Sequence, residues 1–271
     1  MRNKKIGFFD SGVGGLTVIE AVHRVLPEYD TIYLGDTARA PYGHRSHAEL
    51  VEFTWQACTW LFARGCELII IACNTASASA LREIQQTRLI HHPGRRVLGV
   101  IRPTVEELAK RGYKNILVLS TEATRKSGAY AAEFEKLNPE IRVHGHACPD
   151  WASMIEAGKV GTPELKREVE REVTTAIKVA PHPSAVLLAC THYPFVKKEI
   201  AAVLPTVPLF DQGELVAHSL KEYLKRHPEI ESQLQRSSAR EYCVTGPTVA
   251  AEKIAHGLFG FAVHFAHVTL T

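Results

Sequence analysis

Two cysteines of this chain stand in matching surroundings. Cys73 closes the apolar run of LIIIACNT (Leu68–Thr75), and Cys190 closes that of AVLLACTH (Ala185–His192). Each follows an alanine and precedes two polar residues, and each falls at the predicted end of a strand just before a predicted helix. A helix N-terminus offers free amide donors and positive potential, which favour a thiolate and attract carboxylates. One buried cysteine is ordinarily a small hydrophobe, but a matched pair points to chemistry. Inverting an α-carbon needs a base on one face and an acid on the other, with the roles exchanged in the reverse direction. Two identical groups, one thiolate and one thiol, suit that symmetry. The weakly acidic α-proton also demands dipoles and cations that stabilise a carbanion. No pyridoxal-lysine context and no metal motif is recognisable, so the expectation is a route with no cofactor and no metal.

Two further strand-end loops carry polar groups. The loop Asp10-Ser11-Gly12-Val13-Gly14-Gly15 lacks the GxGxxG spacing of a dinucleotide site and the GK[ST] of a P-loop. A tight turn that delivers Asp10 and Ser11 to the site is the better reading. The segment YLGDTARAPYG, with Asp36, Pro41, Tyr42 and Gly43, is rich in turn formers. His44 and His47 lack further ligands and read as a solvated loop, and His91-His92 as a surface turn. Cys58, Cys66, Cys148 and Cys243 have no matched partners and read as packing groups, as do Trp55 and Trp60.

The elements that must position these residues alternate along the chain. KKIGFFD, DTIYLGD, CELIIIAC, RRVLGVI, NILVLS, IRVHGHA, SAVLLAC, TVPLFD and REYCVTG read as strands. Between them, helical spacing marks residues 16–26, 46–63, 75–86, 105–110, 128–137, 163–179 and 215–225. Strand then helix, repeated, predicts α/β architecture with mostly parallel sheets covered on both faces. The cysteines lie 117 positions apart (190 minus 73), about the size of one compact lobe. Polar His91–Arg96 and the prolines Pro205 and Pro208 mark the boundaries. They predict one lobe from 1–96 plus 210–271 and a second from 97–209.

Composition narrows the partners. With 271 residues, 45% hydrophobic and 23% charged, the chain can bury a substantial core. Its +3 charge comes from 32 basic and 29 acidic residues with no long like-charge run, so no nucleic-acid or membrane surface is expected. The start, Met1 to Lys5, runs into an apolar segment too short for a signal peptide, and no stretch reaches the ~20 apolar residues of a membrane helix. A cytoplasmic protein with six free thiols is the expectation.

FFDSGVGGLTV, GDTARAPYG, IACNTASA and ACTHYP occur in this order, with TRKSGAY and TGPTVAAEKIAHGLFG further along. With these motifs the chain resembles the glutamate racemases of the aspartate/glutamate racemase superfamily over nearly its whole length. The resemblance implies two pseudo-symmetric lobes with the active site in the cleft between them. It implies cofactor-independent interconversion of L- and D-glutamate, with D-glutamate supplied to peptidoglycan synthesis. Cys73 would take the proton from the D-enantiomer and Cys190 from the L-enantiomer, assisted by Asp10 and His192 respectively. Asp10, Ser11, Tyr42, Gly43, Asn74, Thr75, Thr191 and His192 match substrate-binding positions, and Asp36 and Glu156 would be auxiliary. Where aspartate-type relatives tend to carry Glu, this chain has His192, which favours glutamate. Departures are Ala189 where Gly is more usual, the polar stretch CPDWASMIEAG, and Arg102. Members resembling this chain often form homodimers. The alternatives are an aspartate racemase or a one-thiol decarboxylase, and a binding protein that holds an acidic ligand without turning it over.

Overall fold

The structure, a computed structural model, describes residues 3–270; Met1 and Arg2 of the basic start and Thr271 lie outside it. Its strands are β1 (Lys5–Asp10), β2 (Thr31–Gly35), β3 (Cys66–Ile71), β4 (Arg96–Gly99), β5 (Asn115–Ser120), β6 (Arg142–Ala147), β7 (Ala185–Ala189), β8 (Leu209–Phe210), β9 (Arg240–Val244) and β10 (Ala266–His267). They form a six-stranded sheet of order β10-β9-β2-β1-β3-β4 and a four-stranded sheet of order β6-β5-β7-β8. Every strand pair in both sheets is parallel, and helices cover both faces, as the alternating pattern requires.

Side chains alternate across a strand, so each strand feeds two cores. In the larger sheet Ile6, Phe8, Leu68 and Ile70 pack with helices Leu16–Val25 and Gln212–Arg226. Phe9, Ile69 and Ile71 face the other way, onto helix His47–Ala63. The smaller sheet divides likewise: Leu117, Leu119, Val186 and Leu188 meet helix Pro163–Val179, and Ile116, Val118 and Leu187 meet helices Ile101–Lys110 and Ala129–Leu137. Helix His47–Ala63 begins in a capping box between Ser46 and Glu49, and helix Pro163–Val179 is capped by Thr162. Such caps satisfy amides that have no partner inside the helix.

The crossings between lobes differ slightly from those expected. β4, expected in the second lobe, pairs with β3 in the larger sheet, because Val97 is buried against that sheet's core. The switch falls at the next residues, where Val100 belongs to the first core and Ile101 to the second. On the return, Phe210 still pairs with β7, and Asp211 caps the helix that rejoins the first lobe. The helix expected over 75–86 is broken. It runs Asn74–Ser79, then a short turn Leu81–Glu83, then a π-helical turn Ile84–Arg88. Asn, Thr and Ser compete for backbone bonds inside helices, and Ser77 Oγ donates to Ile71 O.

Candidate active site

Both cysteines open onto one cleft, a cavity of about 230 Å³ between the carboxyl ends of the two sheets, where parallel sheets ordinarily bind ligands. Cys73 is the N-cap of helix Asn74–Ser79 and is 5% exposed. Its Sγ accepts from Ala76 N at 3.4 Å and donates to Ser11 Oγ at 3.6 Å. One amide and a short helix do not lower the thiol, contrary to the expectation from the helix N-terminus. Burial, with the charge of Asp10 added, pushes Cys73 up to about 12.

Cys190 follows β7 and is 7% exposed. The expected helix does not start there; a turn through Thr191 and His192 leads into the 3-10 turn Tyr193–Val196. In that turn the His192 ring folds back, its Nδ1 3.8 Å from Cys190 Sγ and its Nε2 donating to Glu156 Oε1 at 2.8 Å. Burial disfavours charge on the ring, but the hydrogen bonds to Cys190 and Glu156, with their charges, outweigh it. His192 is held well above the usual histidine range. One sulfur faces a hydroxyl and an amide, and the other faces an imidazole that keeps its proton.

Asp10 closes β1 and is wholly buried beneath the cleft rather than on its wall. Its Oδ1 accepts from Gly12 N at 2.9 Å and its Oδ2 from Thr191 Oγ1 at 3.3 Å. Burial raises its pKa, against the pull of His192 and of the Gly12 and Gly15 amides. The glycines of this turn serve close approach. A Cβ on Gly14 would lie 2.5 Å from His192 Cε1, and one on Gly15 2.5 Å from Asp10 Cβ. Asp36 also sits behind the site. Tyr42 Oη, Arg39 Nε and Thr245 Oγ1 all donate to it, at 2.5, 2.6 and 2.7 Å. It holds the loop that presents Tyr42 and Gly43 to the cleft.

Ser11, Tyr42, Gly43, Cys73, Asn74, Thr75, Glu156, Cys190, Thr191 and His192 thus line one cavity, while Asp10 and Asp36 support it from behind. Sequence reasoning missed Thr37, Thr121, Glu122, Pro149 and Ser153 on the wall, and His44, read as solvated loop, joins them. The strand-end rule applied to NILVLS would have pointed to Thr121. Arg102 lies elsewhere, beside Glu133 and Tyr223 in a larger cleft of about 670 Å³, and is paired to Glu106 and Glu133. Among the described residues His146, Cys148 and Glu172 bring three metal-ligating atoms within 4.8 Å of one another. There His146 and Arg171 already hold the two oxygens of Glu172, each at 2.6 Å. Cys58, Cys66 and Cys243 are buried free thiols. No helix among the described residues is long and apolar enough to cross a membrane.

The sequence pattern of the family described as Asp/Glu/Hydantoin racemase matches residues 16–220. The chain is 39% identical to the glutamate racemase of Phenylobacterium zucineum (strain HLK1), over 96% of this chain and 98% of that one. Among solved structures it is similar to a glutamate racemase isoform from Bacillus anthracis, with TM-score 0.89, 29% identity, and coverage of 100% and 99% of the two chains. It is equally similar to the glutamate racemase of Francisella tularensis subsp. tularensis SCHU S4 in complex with D-glutamate, with TM-score 0.88, 31% identity, and coverage of 100% and 99%.

Proposed function

The chain belongs to the Asp/Glu/hydantoin racemase family, and from that premise we propose that it interconverts L- and D-glutamate by proton transfer between two cysteines. The observation that carries the reading is the pairing of Cys73 and Cys190, from strand ends of separate sheets, on one small cleft. At about 230 Å³ the cleft falls below the usual size of drug-sized pockets and suits a small amino acid.

In the L-to-D direction Cys190, as thiolate, takes the α-proton, and the electron pair stays on the α-carbon, spread toward the carboxylate. Cys73 then delivers its thiol proton to the opposite face. The site ends with a thiol at Cys190 and a thiolate at Cys73, and the reverse turnover restores it. A Cys73 thiol held up to about 12 keeps the proton that it donates on that side. His192, which keeps its proton, supplies positive charge beside the base and the developing carbanion. Asp10 assists on the Cys73 side. Ser11, Tyr42, Gly43, Asn74, Thr75 and Thr191 offer hydrogen bonds to the substrate's carboxylates and amine, and Glu156 steadies His192. The same reading includes no cofactor, a cytoplasmic location, D-glutamate for peptidoglycan, and a homodimer.

Incubation with L-glutamate in D₂O, with no cofactor added, tests this by circular dichroism and α-proton exchange together. Racemisation appears as loss of optical signal with deuterium entering at the α-carbon, and Cys73→Ala and Cys190→Ala each abolish it. Turnover of aspartate with glutamate inert assigns the chain to aspartate instead. No exchange with either acid leaves a binding protein.

A further inference from the structure

The turn that carries Cys73 belongs covalently to the first lobe but is fastened to the second. Thr75 Oγ1 lies 2.9 Å from Thr121 Oγ1, at the end of β5. Asn74 enters a closed ring of buried hydrogen bonds. Tyr130 Oη, from helix Ala129–Leu137, donates to Asn74 Oδ1 at 2.5 Å. Gln212 Nε2 donates to Asn74 Oδ1 at 3.1 Å and to Tyr130 Oη at 3.0 Å, while Asn74 Nδ2 donates to Gln212 Oε1 at 3.3 Å. Tyr130 and Gln212 are 4% and 2% exposed, and neither reaches the cleft wall. Burial lifts the Tyr130 phenol above its ordinary range, so its hydroxyl stays a donor at every working pH.

The second cysteine is fastened the opposite way: Thr191 Oγ1 donates to Asp10, and Thr17 Oγ1 donates to Thr191 O at 3.2 Å. Each thiol-bearing turn is therefore tied to the lobe it does not belong to. The placement of the two sulfurs across the substrate rests on these ties as well as on either sheet.

We propose that Tyr130 and Gln212 are positioning residues for the reaction, a clasp that holds Asn74 and thereby the Cys73 turn in register with the Cys190 side. The proposal rests on the racemase reading above for its kinetic part, though its geometric part does not. The ring uses Gln212 in both directions, as donor and as acceptor, so no aliphatic side chain of similar size replaces it. Loss of either member leaves buried polar partners unpaired and lets Asn74 swing by the fraction of an ångström that proton transfer does not tolerate.

The test compares Tyr130→Phe, Gln212→Leu and the double variant with wild type. Phe134→Leu, on the same helix but buried in the apolar core, serves as the packing control. Each single variant is expected to lower kcat about 10- to 100-fold, with KM for either enantiomer moving less than roughly threefold. The double variant is expected to be no worse than the poorer single one, since partners in one network are not additive. Iodoacetamide alkylation, read peptide by peptide, should accelerate at Cys73 and not at Cys190. Phe134→Leu should lower the melting temperature and leave kcat per folded site intact. Wild-type kcat together with unchanged Cys73 alkylation in both single variants overturns the clasp, as does an activity loss that only tracks the unfolded fraction. A wild-type protein inert to glutamate defeats the racemase reading instead, and the alkylation comparison still decides the clasp.

Discussion

Two thiols face the cleft from buried positions with different neighbours. Cys73 lies beneath Ser11 and near a buried carboxylate, and burial holds its proton. Cys190 lies beside a histidine whose proton is secured by Glu156. The His192 ring therefore titrates well above the usual histidine range, and Glu156 contributes both a hydrogen bond and a charge to that shift. Replacing Glu156 with Gln removes the charge, so His192 loses its proton at lower pH. If the protonated ring serves the reaction, the alkaline limb of the kcat/KM profile of Glu156→Gln moves to lower pH than in wild type. An unmoved limb with unchanged kcat/KM would show that Glu156 has no hold on the ring. The pairing of Cys73 and Cys190 was legible in the sequence because an apolar-run-then-polar pattern repeats at two strand ends, and His192 was legible through the family resemblance of the ACTHYP motif. The protonation of Cys73 and of His192 was not, because it depends on how deeply packing from distant segments buries them and on what they touch there. The same holds for Tyr130 and Gln212, whose meeting with Asn74 joins residues 56 and 138 positions away.

Among the elements, the glycine turn after β1 leaves little room for a side chain. It lies between the two sheets, with Gly14 against Thr191 and His192 and Gly12 near Glu156, where an added Cβ would sit 2.9 Å from Oε1. Gly14→Ala pushes a methyl into the His192 ring and is expected to cost about 1–3 kcal/mol of stability, as overpacking does. Its larger effect falls on activity, a loss of at least roughly tenfold through displacement of His192. Steady-state kinetics beside urea unfolding separate the two, and wild-type kcat in Gly14→Ala would show that the second lobe yields without consequence. The reading of this loop as a tight turn that delivers Asp10 and Ser11, rather than a phosphate cradle, came from motif spacing, and the close approach of Gly14 to His192 is what the structure adds. The central strands were legible because each is a short apolar run buried on both faces. Short elements were not: helices Trp151–Glu156 and Lys197–Val203 and the two-residue β10 are too brief to show a period, and tertiary contact decides them.

Across the whole molecule, buried thiols make stability depend on alkali. Cys58, Cys66 and Cys73 are each pushed up to about 12 by burial, from an ordinary value of 9.0. A group whose pKa rises on folding adds stability that is complete below the unfolded value and is lost as pH climbs toward the folded one. Between pH 9 and 12 each such thiol removes up to about 1.4 kcal/mol per pH unit. Cys58 lies away from the cleft, so Cys58→Ala isolates the effect. At pH 8 the variant is expected to melt below wild type, because a buried side chain has been trimmed. The gap narrows as pH rises and then reverses on the way to pH 12, and parallel melting curves at all pH values would contradict it. The division of the chain between lobes also shapes how the protein is made. β2 is buried along its whole length, and its outer neighbour in the sheet is β9, which begins at residue 240. On a ribosome moving at roughly 5–20 residues per second, β2 therefore waits on the order of 10–40 seconds with the backbone N–H and C=O groups of one edge unpaired. The second lobe, contiguous in sequence, emerges complete during that interval. Biosynthesis thus leaves the first lobe as the half most exposed to wrong partners, and a nascent chain truncated before residue 240 is the species most prone to be captured by a chaperone.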